Sequence, residues 1–129
     1  MRIARNISAV AAALAAATCG GGGSGNPGGP SPGENPIQMV ISASGVLTPT
    51  ELVVSPGARV LFINNHSQRH HMSSDPHPDH GDCPPIDQVG QLSQGQRRET
   101  GNLVAIRTCG LHDHDDPDNP ALRGRIVVR

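Results

Sequence analysis

The sequence has almost no aromatic side chains, since Phe62 is its single Phe, Tyr or Trp in 129 residues. A hydrophobic core in this chain must therefore be built from Val, Ile and Leu, which suit β-strands. The formal net charge of -1 leaves no basic patch. The sequence therefore gives no reason to expect nucleic acid as a partner.

The chain also lacks an apolar run that is long enough to cross a bilayer. Its apolar run at residues 7–17 is mostly alanine and follows a short positive start. This arrangement is typical of an export signal, which we assign to residues 1–18. Ala16-Ala17-Thr18-Cys19 resembles the lipobox of bacterial lipoproteins, whose cysteine is lipidated after cleavage. Ordinary cleavage after Ala17 is the alternative.

Residues 19–36 are rich in glycine and proline and cannot form a core, which predicts a flexible tether. Residues 37–129 then form one domain. A tether that follows a lipidated Cys19 would hold this domain at the membrane surface of the cell envelope, in the periplasm. We expect an exported monomer that contacts the membrane only through the lipid, in an oxidising compartment where a disulfide persists.

Short apolar runs separated by turn residues predict seven β-strands and no helix in the domain. The predicted strands span residues 37–43, 51–54, 59–64, 88–92, 96–100, 103–108 and 124–129. Residues 65–87 show no apolar periodicity and are rich in His, Asp, Ser and Pro, which predicts a long irregular loop. This pattern favours an all-β fold of the β-sandwich type.

All seven histidines lie between His66 and His114, five of them in residues 66–80 and two in residues 112–114. Imidazole and thiolate are ligands of soft metal ions, and Cys109-Gly-Leu-His112-Asp-His114 supplies both. A metal site forms if the fold brings the two histidine-bearing segments together. His112 and His114 would point the same way on an extended strand. We interpret His66 and His71 as solvated loop residues.

Several short motifs follow one another in an informative order. Ser55-Pro-Gly57 precedes an apolar strand that ends Phe62-Ile-Asn-Asn65, Gln94-Gly-Gln96 precedes the last strands, and the chain closes with Leu122-Arg-Gly-Arg-Ile-Val-Val128. Over residues 37–129 this order resembles the cupredoxins, the small copper domains that include plastocyanin. The resemblance implies a Greek-key β-sandwich, bound copper in preference to zinc, and electron transfer with a redox partner protein rather than catalysis.

The resemblance implies one of two metal sites. In the first, His70 stands five residues after Asn65, where the family has its first copper histidine. Cys109 and His112 have the family's Cys-x-x-His spacing. Two histidines and a thiolate form a blue copper centre.

The second alternative contains no copper thiolate. Residues 74–82, Ser-Asp-Pro-His-Pro-Asp-His-Gly-Asp, resemble a loop of cupredoxin-like domains that have no copper cysteine, and His112-Asp-His114 resembles their ending. The ligands are then His70, His112 and His114, completed by His77 or His80. Such a module would exchange copper or zinc with a metal donor or acceptor, for delivery or sequestration, or would serve as an accessory domain.

Cysteine pairing differs between these alternatives. If Cys19 is lipidated, Cys83 and Cys109 remain. A copper-bound Cys109 leaves Cys83 as a free thiol, whereas a Cys83–Cys109 disulfide leaves no cysteine over. The sequence leaves this choice open.

Overall fold

The computed structural model describes residues 37–129, which form two β-sheets. The strands, in chain order, are β1 (Gln38–Ile41), β2 (Leu47–Thr48), β3 (Glu51–Val54), β4 (Leu61–Asn64), β5 (His70–Ser74), β6 (Gly90–Leu92), β7 (Arg97–Glu99), β8 (Arg107–Asp113) and β9 (Gly124–Val128). A single helical turn, α1 (Pro84–Asp87), precedes β6, and a 3-10 turn (Pro120–Leu122) precedes β9.

The first sheet has the strand order β2-β1-β4-β7, and the second has the order β3-β9-β8-β5-β6. Both sheets are mixed, because β1 pairs with β4 in parallel and β3 pairs with β9 in parallel. The central strand of the second sheet, β8, lies between β9 and β5 and is antiparallel to both. The ends of β5 and β8 therefore lie side by side, with Ser73 opposite His112.

Both sheets contribute apolar side chains to one core. Phe62, Met39 and Ile41 of the first sheet and Leu111 and Ile126 of the second are fully buried. Because buried residues alternate with more exposed ones along β1, β4 and β9, each strand buries one of its two faces. The all-β sandwich predicted from the sequence is confirmed.

One prediction was wrong at residues 65–87, which include the strand β5. The sequence His-His-Met-Ser-Ser has no apolar alternation, yet its burial is high along the whole strand. Its buried polar groups have hydrogen-bond partners: Nδ1 of His70 contacts Asp113, and the Ser74 hydroxyl bonds the carbonyl of His80. Apolar periodicity does not detect a strand whose buried side chains are polar.

The strand predicted at residues 103–108 was misplaced toward the N-terminus. Val104 and Ile106 are 67% and 75% exposed, and β8 begins only at Arg107. The strand extends instead to Asp113, so it includes both His112 and Asp113, which are buried. The apolar residues just before β8 are exposed and the polar residues at its C-terminal end are buried, which is the opposite of the pattern by which strands are located in a sequence.

The predicted export signal at residues 1–18, the lipidation site Cys19 and the tether at residues 19–36 lie outside the described residues. Within residues 37–129, the helical turns are a few residues each, far below the length of a membrane span.

The single aromatic residue of the core gives a test of the packing. Replacing Phe62 by alanine removes a fully buried ring, and we expect the free energy of unfolding to fall by about 3–5 kcal/mol. Denaturant unfolding followed by circular dichroism measures this change. Ile106→Ala is the matched control, because Ile106 is largely exposed and its loss should cost less than about 0.5 kcal/mol. Equal effects of the two substitutions would contradict the assigned core.

Candidate metal centre

Three histidines meet where the loop at residues 75–82 folds over β8. The metal-binding atoms of His77, His80 and His112 all lie within 4.8 Å of one another. His77 and His80 come from the loop, and His112 comes from the strand. The two histidine-bearing segments, residues 66–80 and 112–114, therefore meet at this cluster.

His112 presents an unpaired nitrogen to this cluster. Its side chain is fully buried, and its Nδ1 lies 2.6 Å from Oδ1 of Asp75. Because an ionised carboxylate only accepts hydrogen bonds, the proton lies on Nδ1 and Nε2 carries a free lone pair. Within residues 37–129, Nε2 of His112 is the single buried side-chain nitrogen or oxygen without a hydrogen-bond partner. A buried, unsatisfied acceptor is costly, and a metal ion would satisfy it.

His80 is oriented in the same way by a backbone carbonyl. Its Nδ1 lies 2.8 Å from the carbonyl oxygen of Ser74, which can only accept, so Nδ1 donates and Nε2 is left as an acceptor. His80 has a φ of 52°, in the left-handed region that is uncommon for a residue with a side chain. Hydrogen bonds from its N–H to the carbonyl of Pro76 and from the Ser74 hydroxyl to its own carbonyl hold this conformation.

His114 joins the cluster as a fourth imidazole. Its Nδ1 lies 2.7 Å from Nε2 of His80 and donates to it, since that nitrogen carries no proton. The ring centroid of His114 lies 4.8 Å from the ring centroid of His80 and 5.0 Å from that of His77. His112 and His114, two of the predicted ligands, are therefore both at the cluster.

Two of the histidines near the cluster have lowered pKa values. The pKa of exposed His77 lies below the ordinary value, through desolvation and then through Coulomb interactions with the neighbouring imidazoles of His114, His112 and His80. The pKa of His71 is lowered by burial and by His114, against the attraction of Asp115 and Asp113. A lower pKa keeps an imidazole neutral near pH 7, which is the state that binds metals.

His70, another predicted ligand, lies in a separate group. Its Nδ1 contacts Oδ2 of Asp113 at 2.7 Å, and its Nε2 faces Nδ1 of His66 at 2.8 Å. The other oxygen of Asp113 accepts the backbone N–H of His71. His66 is not the solvated residue that we expected, because its ring stacks on that of His70. The structure does not bring His70 together with His77, His80 and His112.

Cys109 lies in a disulfide with Cys83, which is the second of the two pairings considered from the sequence. The Cα atoms are 5.7 Å apart, an ordinary separation for a disulfide. The sulfur of Cys109 is therefore not a thiolate, which differs from its predicted role as a copper ligand. Cys109 and His112 also have opposite parity on β8, so their side chains lie on opposite faces of the strand.

Similar solved structures include several cupredoxins. A purple cupredoxin from Nitrosopumilus maritimus has a TM-score of 0.54 and 19% sequence identity, over 71% of this chain and 98% of that chain. Plastocyanin from Dryopteris crassirhizoma has a TM-score of 0.56 and 15% identity, over 71% and 99%. A mutant amicyanin in its Cu(I) form has a TM-score of 0.54 and 19% identity, over 73% and 82%. The domain therefore has the cupredoxin fold.

No family model and no curated protein matches the sequence. At these identities, the likeness to solved structures establishes the fold alone. The function depends on which residues of this chain form the site.

The disulfide gives a prediction about colour. In a Cys19→Ser variant, Cys83 and Cys109 are the only cysteines, and we expect a thiol assay of the unfolded protein to find no free thiol. Addition of Cu(II) should then give a pale product, because an intense blue colour requires thiolate-to-copper charge transfer. A blue product that contains a free thiol would contradict the disulfide and would restore Cys109 as a ligand.

Proposed function

We propose that this domain binds copper through a site made only of histidines: His77, His80 and His112, with His114 as a fourth ligand. The observation that carries the proposal is the buried Nε2 of His112, which has no hydrogen-bond partner and lies within reach of the other nitrogens. Histidine nitrogen is a good ligand for both copper and zinc. Copper is preferred because the solved structure of amicyanin, which has the same fold, is a Cu(I) form.

The proposed role is to hold the ion and exchange it with a metal donor or acceptor. Electron transfer through a blue copper centre needs a thiolate, and the Cys109 sulfur is bonded to Cys83. The disulfide therefore favours the binding module over the electron carrier. A catalytic role is not proposed, because a domain of this size leaves little room for a substrate pocket beside the ligands.

The ligands differ from those expected from the resemblance. His112 and His114 remain in the proposed set, which includes both His77 and His80, where the second alternative had one of them, and omits His70 and Cys109. Each of the two best-oriented ligands has its Nδ1 proton engaged by an acceptor, Asp75 for His112 and the Ser74 carbonyl for His80. Such outer partners fix the tautomer that a metal ligand needs, which supports this choice.

Removal of ligands tests the proposal. The double variant His112→Ala, His114→Ala should lose more Cu(II) affinity than the about 10–100-fold that loss of an outer hydrogen-bond partner causes. Titration against a competing Cu(II) chelator measures the affinity, and circular dichroism verifies the fold. His66→Ala is the matched control, because His66 belongs to the separate group with His70. Unchanged affinity in the double variant would refute the histidine site.

We also propose that the protein is exported and is held at the membrane through a lipid on Cys19. The support is in the sequence: the positive start, the apolar run at residues 7–17, the cysteine that follows Thr18, and the glycine-rich stretch at residues 19–36. A lipidated cysteine that precedes such a stretch would let the copper-binding domain reach partners away from the membrane surface.

Expression in a bacterial host tests the lipid anchor. We expect the protein to partition into the detergent phase and its mature N-terminus to be a lipid-modified Cys19, whereas Cys19→Ser should remain in the aqueous phase. Phase separation in detergent measures the partition, and mass spectrometry of the N-terminal peptide identifies the first residue and its lipid. A mature chain that begins at Thr18 without added lipid mass would show ordinary cleavage after Ala17 and would refute the anchor.

A further inference from the structure

Asp75 lies in hydrogen-bond contact with the ring of His112. Its Oδ1 lies 2.6 Å from Nδ1 of the buried His112 ring. We propose that Asp75 is a positioning residue that directs the Nε2 lone pair of His112 at the metal, and that its charge biases the site toward divalent ions over Cu(I). This inference rests on the proposed function, because it concerns the same site.

The backbone of Asp75 is fixed on both sides. Its N–H donates to the carbonyl of Gly110 at 3.0 Å, and its carbonyl accepts the N–H of Asp82 at 3.0 Å. The first bond ties Asp75 to β8, and the second closes the neck of the loop that contains His77 and His80. The carboxylate therefore has a defined position relative to His77, His80 and His112.

Gly110 is required for this contact. It lies on β8 two residues before His112, on the same face of the strand. A Cβ at this position would lie 2.1 Å from Oδ2 of Asp75 and 3.0 Å from its Cγ. No real Cβ approaches an oxygen so closely, so any other residue would displace the carboxylate from His112. Its φ is not in the left-handed region, so the requirement for glycine comes from space and not from the backbone.

The charge of Asp75 distinguishes between metal ions. Coulomb attraction is proportional to the product of the charges, so an ion of charge +2 gains twice as much from this carboxylate as an ion of charge +1 at the same place. A hydrogen bond to the carboxylate also raises the basicity of the imidazole ligand. The Asp75 side chain is 34% exposed, so water reduces both effects without reversing their sign.

Two substitutions remove the contact by different routes. Asp75→Asn keeps the size of the side chain but removes its charge, and its amide can donate to Nδ1 of His112. Gly110→Ala keeps the carboxylate but displaces it. Gly81→Ala is the matched control, because Gly81 lies in the same loop and a Cβ there would meet nothing within 4 Å.

The first measurement needs no metal. Nitrogen-15 NMR of His112 in the Cys19→Ser protein, at a pH well above the ordinary histidine pKa, reports which ring nitrogen carries the proton. We expect the proton on Nδ1 in the parent and in Gly81→Ala, and a new population protonated at Nε2 in Asp75→Asn and in Gly110→Ala. An unchanged tautomer in both of these variants would overturn the positioning role.

The second measurement compares Zn(II) with Cu(I), which share a filled d shell and differ in charge. Ascorbate as the reductant for Cu(I) leaves the disulfide intact, which a thiol assay verifies. We expect Asp75→Asn to weaken Zn(II) binding by about 10–100-fold and Cu(I) binding by a clearly smaller factor. Equal factors would overturn the charge bias.

The proposed function and the role of Asp75 can be refuted separately. A parent protein that binds neither ion would refute the proposed function, while the NMR experiment would still determine whether Asp75 orients His112. A parent that binds metal, together with an Asp75→Asn protein that has the parent's tautomer and both of its affinities, would refute only the role of Asp75.

Discussion

Two carboxylate–imidazole pairs allow this sandwich to bury histidines at one end of its second sheet. A buried polar group is tolerated only when it is hydrogen-bonded. Asp75 accepts from His112, and Asp113 accepts from His70, His71 and Asp115. Without these acceptors, the ends of β5 and β8 could not both be extended and buried. The position of every proposed ligand follows from this constraint, because the two strands bring the loop at residues 75–82 over His112.

The disulfide reinforces the same arrangement covalently. Cys83 follows His80 by three residues, and Cys109 precedes His112 by three, so the bond joins the loop to the strand beside the cluster. It spans a sequence separation of 26 residues. In the chain-entropy account, a closed loop of this length stabilises the folded state by about 3–4 kcal/mol. The loop that contains His77 and His80 is thus held to β8 whether or not a metal is bound.

The sequence was informative where strands follow the usual rule of apolar side chains inside. The runs near residues 38–41, 51–54, 61–64 and 124–128 alternate or are continuously apolar, and each forms a strand. The rule failed at β5 and at the end of β8, because their buried residues are polar and satisfied by partners up to 43 positions away. Hydrogen bonds between residues so distant in the chain cannot be deduced from local pattern.

A histidine-rich candidate metal site could be predicted from the sequence, but only some of its residues could be identified. The clustering of histidines in two segments and the likeness of residues 74–82 to a histidine-bearing loop both pointed to the region where His77, His80 and His112 meet. The sequence could not assign His70 to one group or the other. His112 and Asp113 are consecutive residues of β8 whose side chains lie on opposite faces of the strand, and each is at the centre of a different group of histidines. Both groups contain histidines at plausible spacings. Only the three-dimensional arrangement shows that His66 partners His70 and that His80 partners His114.

The hydrogen bond between His114 and His80 has a consequence for how an ion enters. The lone pair of His80 Nε2 accepts the Nδ1 proton of His114. An ion at the proposed site would have to displace this hydrogen bond before it could use the His80 lone pair, and a neutral His114 would bind through Nδ1 only if its single ring proton moved to Nε2. When the ion left, the proton could return to Nδ1 and His114 could donate to His80 again. At the proposed site, His114 would therefore compete with a bound ion for Nε2 of His80, which would favour transfer of the ion to a partner over permanent retention.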